Sequence, residues 1–176
     1  MDKLKALKVN DWMVVAGGVI VLIFGLFRWF TWEVSVEGVV EVPEQTSNAF
    51  DYLLTGVVPW LLIIGAAGTT LLLATEALRP GNVPWPLVLL GATLLGFVLI
   101  LIRLIISIDP GVSGEGAEAD VSRGIGIWMS ALGALVAFVG AFIGFRNTGL
   151  DTEYTPVKGR PAADREIPPP GDVAAP

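Results

Sequence analysis

The 176-residue chain contains no cysteine and no histidine. The first absence removes disulfides and thiolate ligands. The second removes the commonest metal ligand and the commonest general base near neutral pH. Charge is scarce as well, at 16% of residues, and it is missing altogether from four long stretches. Coupled transport usually keeps a carboxylate inside the membrane, and no stretch has one near its centre. For a pore, the apolar stretches offer only Thr69, Thr70, Thr75, Thr93 and Ser130, too few for polar rings or a filter. Without a nucleophile–base constellation the expectation is a protein that is not an enzyme, with no cofactor and no metal. The net charge of -6 argues against a nucleic-acid partner.

What the chain has in abundance is apolar sequence. Hydrophobic residues make up 53% and mean hydropathy is +0.70, outside the usual range for a soluble domain. The apolar residues sit in blocks at 12–27, 52–75, 80–102 and 124–145, each followed by a charged residue. A helix crossing the hydrocarbon core needs about 20 such residues. Three blocks exceed that, and the first reaches it when Arg28 snorkels and Trp29 and Phe30 are counted. The expected fold is an all-α membrane protein, a bundle of four transmembrane helices over residues 11–30, 54–78, 85–106 and 124–145. These make one domain, 1–146, followed by a tail, 147–176. The sequence after the first block, FRWFTWEV, has no small-x-small cleavage site, so that block reads as a retained span rather than a signal peptide.

Charge sets the direction of threading. Lys3, Lys5, Lys8, Arg79, Arg146, Lys158, Arg160 and Arg165 fall on one side of a four-span chain, while the outer loops are acidic. The positive-inside rule then puts both termini in the cytoplasm of a multi-pass plasma-membrane protein. Tryptophans follow the same registration, with Trp12 and Trp85 expected at the cytoplasmic ends. Trp29, Trp32, Trp60 and Trp128 are expected at the outer ends as an aromatic belt. The RPGNVP link between the second and third spans is short enough to force an antiparallel hairpin, with Pro84 or Pro86 opening the third helix.

The first outer segment, WEVSVEGVVEV, alternates apolar with polar residues and slips phase at residues 38–39, the pattern of a short strand with a bulge. The second outer loop shows no mate for it, so this strand is expected to cap the helices or offer an edge to a partner. Residues 44–51 are expected to add a helical turn. The second loop, SIDPGVSGEGAEADVS, lacks EF-hand spacing and reads as a solvated, flexible connection rather than a calcium site. The tail holds six of the twelve prolines, has no apolar period and reads as disordered, a possible dock for a cytoplasmic partner.

Three arginines, Arg28, Arg103 and Arg123, lie at the outer ends of spans. They are candidate contacts for an anionic lipid or a partner, or interfacial anchors paired with nearby carboxylates. Glu76, one turn from Arg79, reads as half of an interfacial pair. In the fourth span Gly133, Ala137 and Ala141 recur every four residues, as do Gly140 and Gly144, a face that lets helices approach closely. It serves packing within the bundle, with any surplus available for self-association or another membrane protein.

The alanine-, glycine- and valine-rich spans, the run RGIGIWMSALGALVAFVGAF and the proline-rich acidic tail together resemble small four-span membrane proteins of unassigned function from actinobacteria. The resemblance implies the four-span topology and no site residue. Tetraspan junction proteins of the claudin type share that topology, but their loop cysteines are missing here. The expected role is a non-enzymatic accessory or scaffold protein that assembles with or stabilises another membrane or envelope component. The alternative is a small transporter, channel or lipid-binding protein with an outward-facing basic site.

Overall fold

The computed structural model describes residues 7–36, 44–78, 82–106 and 117–150. Four helices account for most of them: α1 (Val9–Phe24), α2 (Val58–Ala74), α3 (Trp85–Ile105) and α4 (Ile125–Leu150). Three strands, β1 (Phe30–Val36), β2 (Gln45–Ser47) and β3 (Ala117–Arg123), form a small antiparallel sheet in the order β2-β1-β3. A π-helical turn, Leu53–Val57, runs straight into α2. Among the described residues, three helical segments are long and apolar enough to cross a membrane: Leu53–Ala74, Trp85–Ile105 and Ile125–Thr148. The fourth helix, α1, is shorter at 16 residues.

Each helix packs on the next in chain order, and α4 closes the ring against α1. The α1–α4 seam is the most intimate because glycine and alanine occupy both sides of it. A methyl group at Gly17 would lie 2.6 Å from the Ala137 nitrogen, and one at Gly133 would lie 2.7 Å from the Ile20 side chain. One at Gly140 would lie 2.7 Å from the Asn10 carbonyl oxygen. Close backbone approach of this kind lets apolar helices associate by packing alone. Between α3 and α4 the contact is aromatic, with Phe97 and Phe138 stacked at 6.0 Å.

The first helix ends sooner than the expected span 11–30. Its ladder closes with the Gly25 N–H donating to Val21, and residues 25–29 turn the chain into β1. The backbone there is needed elsewhere: the Trp29 N–H donates to Ser47, and the Trp29 and Arg28 carbonyls accept from Gly124 and Gly126. Trp29 and Phe30 therefore belong to the sheet junction and not to a helix. Both are fully buried, so Trp29 is no belt residue. Trp60 is also partly buried, edge-on to Phe50 at 5.2 Å. Trp12 and Trp128 are the exposed ones, at opposite ends of the bundle.

The second outer loop corrects the sequence reading most. Ala117–Arg123 is not a flexible connection but the mate of β1, paired from Phe30↔Arg123 through Val36↔Ala117. Gln45–Ser47 ladders on the other side of β1. Ahead of the π-helical turn, Ala49–Asp51 forms the expected helical turn, with Asn48 accepting from the Phe50 N–H at 2.8 Å. The bulge expected at residues 38–39 lies outside the described residues.

Pro84 and Pro86 flank the start of α3, as expected. At the end of α2, Glu76 takes a positive φ of 58°, and its N–H donates to Leu73. This left-handed C-terminal stop is usually given to glycine. Its expected partner, Arg79, lies outside the described residues. The last helix continues through Leu150, past the expected end of the domain at 146, so Asn147 and Thr148 are helical and not tail. Residues 151–176 lie outside the described part of the chain.

Candidate functional site

The bundle has two chemically distinct ends. One carries the sheet, the C-termini of α1 and α3, and the N-termini of α2 and α4. A continuous core joins sheet to helices there, with Trp29, Phe30, Ala49, Ile63, Ile100 and Ile127 buried together.

All three candidate arginines are at this end, but each is held by a different partner. The exposed Arg28 guanidinium reaches Glu44 at 3.5 Å. Both side chains are well solvated, so the pair contributes little. The Arg123 Nε donates to the Leu104 carbonyl at 3.0 Å, tying β3 to the end of α3. Arg103 is half-buried, its guanidinium 3.6 Å from the Tyr52 ring centroid and 5.1 Å from that of Phe30. Such a cation–π contact contributes about 0.5–2 kcal/mol, more when water is excluded. Tyr52 is itself fixed by a 2.6 Å hydrogen bond between its hydroxyl and Ser47. The Arg103 Nε is buried and has no hydrogen-bond partner among the described residues.

The small residues of α4 face inward. Ala137 is fully buried against Gly17, Gly133 meets Ile20, and Gly140 meets Asn10 and Met13. Ala141 packs with Val14 and Ala66, and Gly144 lies against the Asn10 amide. The face is thus taken up within the chain. Three hydroxyls of the apolar stretches bond within their own helices: Thr70 donates to Ala66, Thr75 to Leu71 and Thr93 to Leu89. These bonds satisfy the three hydroxyls locally, while the buried Ser130 hydroxyl has no hydrogen-bond partner among the described residues.

The opposite end holds what the sequence did not reveal. A cavity of about 530 Å³ opens between the start of α1, the end of α2, the start of α3 and the end of α4. Its polar lining is Lys8, Asn10, Asp11, Thr70, Asn147 and Thr148, with the Trp85 side chain on one wall. The Asp11 carboxylate accepts from the Lys8 N–H at 3.1 Å and from the Asn10 amide at 2.9 Å. The expected boundary at 146 hid this site, because it left Asn147 and Thr148 off the helix that carries them. A second, apolar hollow of about 210 Å³ runs along the α2–α3 flank and shares Trp85 and Leu89 with the cavity. Among the described residues no group of histidine, cysteine, aspartate or glutamate could hold a metal ion.

No protein-family model matches the chain, and no curated protein matches its sequence. The functional reading therefore rests on these two ends.

Proposed function

We propose that the protein is a non-enzymatic accessory protein of the plasma membrane. In this reading its four helices cross the bilayer, both termini are cytoplasmic, and the sheet stands outside as a head that binds another membrane or envelope component. The observation that carries it is the sheet. Among the described residues β3 is laddered on one side only, and β2 covers just three residues of β1. An open strand edge is a template for a partner strand. Glu33 and Asp51 are exposed on the same head, as are Arg28 and Arg123, so the head presents charge of both signs to a partner. The packed core beneath the sheet and the hydroxyls of Thr70, Thr75 and Thr93, bonded within their own helices, support a structural rather than a conducting role.

A photo-crosslinking residue at exposed Ser122 on β3 tests this. In native membranes it is expected to yield one discrete protein adduct, and the same probe at lipid-facing Leu95 none. A protein that purifies as a partnerless monomer, with no adduct at either position, would sink the proposal.

A second reading, an anionic headgroup held by the outer arginines, draws on the unpartnered Arg103 Nε. Arg103→Leu separates the two. If the arginine anchors the head, melting temperature falls as the stack on Tyr52 and Phe30 is lost. If it holds lipid, bound anionic lipid disappears while the melting temperature stays within a few degrees.

A further inference from the structure

The polar cavity and the α2–α3 hollow adjoin at Trp85 and Leu89, which line both, and they differ in character as the two halves of an amphiphile do. At about 530 Å³ the cavity is within the size range of small-molecule sites. Its walls come from all four helices, the polar ones from α1, α2 and α4. The only charged groups among its described lining residues are one carboxylate, Asp11, and one ammonium, Lys8. The site is therefore neutral overall but dipolar. A singly charged anion or cation would leave one of the two without a counterpart, whereas a zwitterion satisfies both.

The hollow has the complementary apolar character. It is lined by Leu61, Leu62, Val88 and Ala92, and it is widened where Gly65 presents no side chain. A methyl group at Gly65 would meet nothing within 4 Å, unlike those along the α1–α4 seam. A glycine that no neighbouring helix presses against leaves open space along an apolar flank. The hollow lies between two helices of membrane-crossing length.

The geometry points to a single site for a phospholipid with an ammonium-bearing zwitterionic headgroup, of the phosphatidylethanolamine type. The ammonium meets Asp11, the phosphate lies toward Lys8, and one acyl chain follows the α2–α3 hollow past Trp85. Asp11 accepts two hydrogen bonds, and a carboxylate has room for about four. The inference rests on the membrane placement proposed above and not on the partner-binding head.

Native mass spectrometry tests it, using the full chain in nanodiscs of equal phosphatidylethanolamine and phosphatidylglycerol, then released into mild detergent. One phosphatidylethanolamine is expected to be retained per chain, in preference to phosphatidylglycerol. Asp11→Asn keeps the shape and removes the charge, and should lower that retention about tenfold. Gly65→Leu fills the hollow without touching the headgroup region and should lower retention of both lipids. Equal retention of the two lipids, or full phosphatidylethanolamine retention in both variants, would overturn the assignment. A chain that does not enter nanodiscs at all would instead remove the membrane placement beneath it.

Discussion

Gly17→Leu is expected to separate α1 from α4 and to be the most damaging substitution in the helical part of the molecule. The position leaves no route for relief. The atoms that a new Cβ would meet include the Ala137 nitrogen at 2.6 Å and the Gly133 carbonyl oxygen, both backbone of a helix. A flexible side chain could swing away, but a helix must shift as a body. Even Gly17→Ala should cost about 1–3 kcal/mol, the usual range for overpacking, and leucine should exceed that. Gly68 provides the contrast, since a methyl there would meet nothing within 4 Å. Gly68→Ala should stay within about 0.5 kcal/mol of the parent protein. Reversible unfolding in mixed micelles, followed by far-ultraviolet circular dichroism, measures all three. Similar midpoints for the Gly17 and Gly68 variants would contradict the seam described above.

Phe30→Ala should be the most damaging change at the other end, at about 3–5 kcal/mol. The ring has no solvent exposure, meets Tyr52 edge-on at 5.9 Å and lies under the Arg103 guanidinium. Removing it opens a cavity where sheet and bundle meet and frees one wall of the arginine stack. The damage should also be local. Hydrogen exchange is expected to accelerate in β1 and β3 while α3 and the middle of α4 stay protected. Uniform acceleration would mean that head and bundle unfold together, and no acceleration would mean that Phe30 is not the joint.

The helices were legible because an uncharged run of about 20 residues has few alternatives. Their packing faces were legible too, from the spacing of Gly133, Ala137 and Ala141. The ends were not. Nothing local distinguishes Trp29 and Phe30 from more of the same helix. They leave it because the backbone groups of Arg28 and Trp29 bond to Ser47, Gly124 and Gly126, partners 18 to nearly 100 residues away. β3 was hidden for a different reason. Ala117-Glu118-Ala119-Asp120 is built from residues that strands usually avoid, and only the ladder from β1 makes it one. β1 itself, rich in valine and aromatics, declared its character without help. The cavity needed Asn10 and Asp11 from one terminus and Asn147 and Thr148 from the other, a juxtaposition that exists only after α4 has folded back along α1.

The shortness of α1 has a mechanical side. At 1.5 Å per residue its 16 residues rise about 24 Å, against about 31 Å for α3, which stands diagonally across the ring. Leu26 and Phe27, exposed just beyond its end, add only a turn to that apolar wall. In the membrane placement proposed above, with a hydrocarbon core of about 30 Å, lipids beside α1 would compress while those beside α3 would not. A bundle so placed would relieve that imbalance by leaning, and its resting angle would then follow the thickness of the membrane.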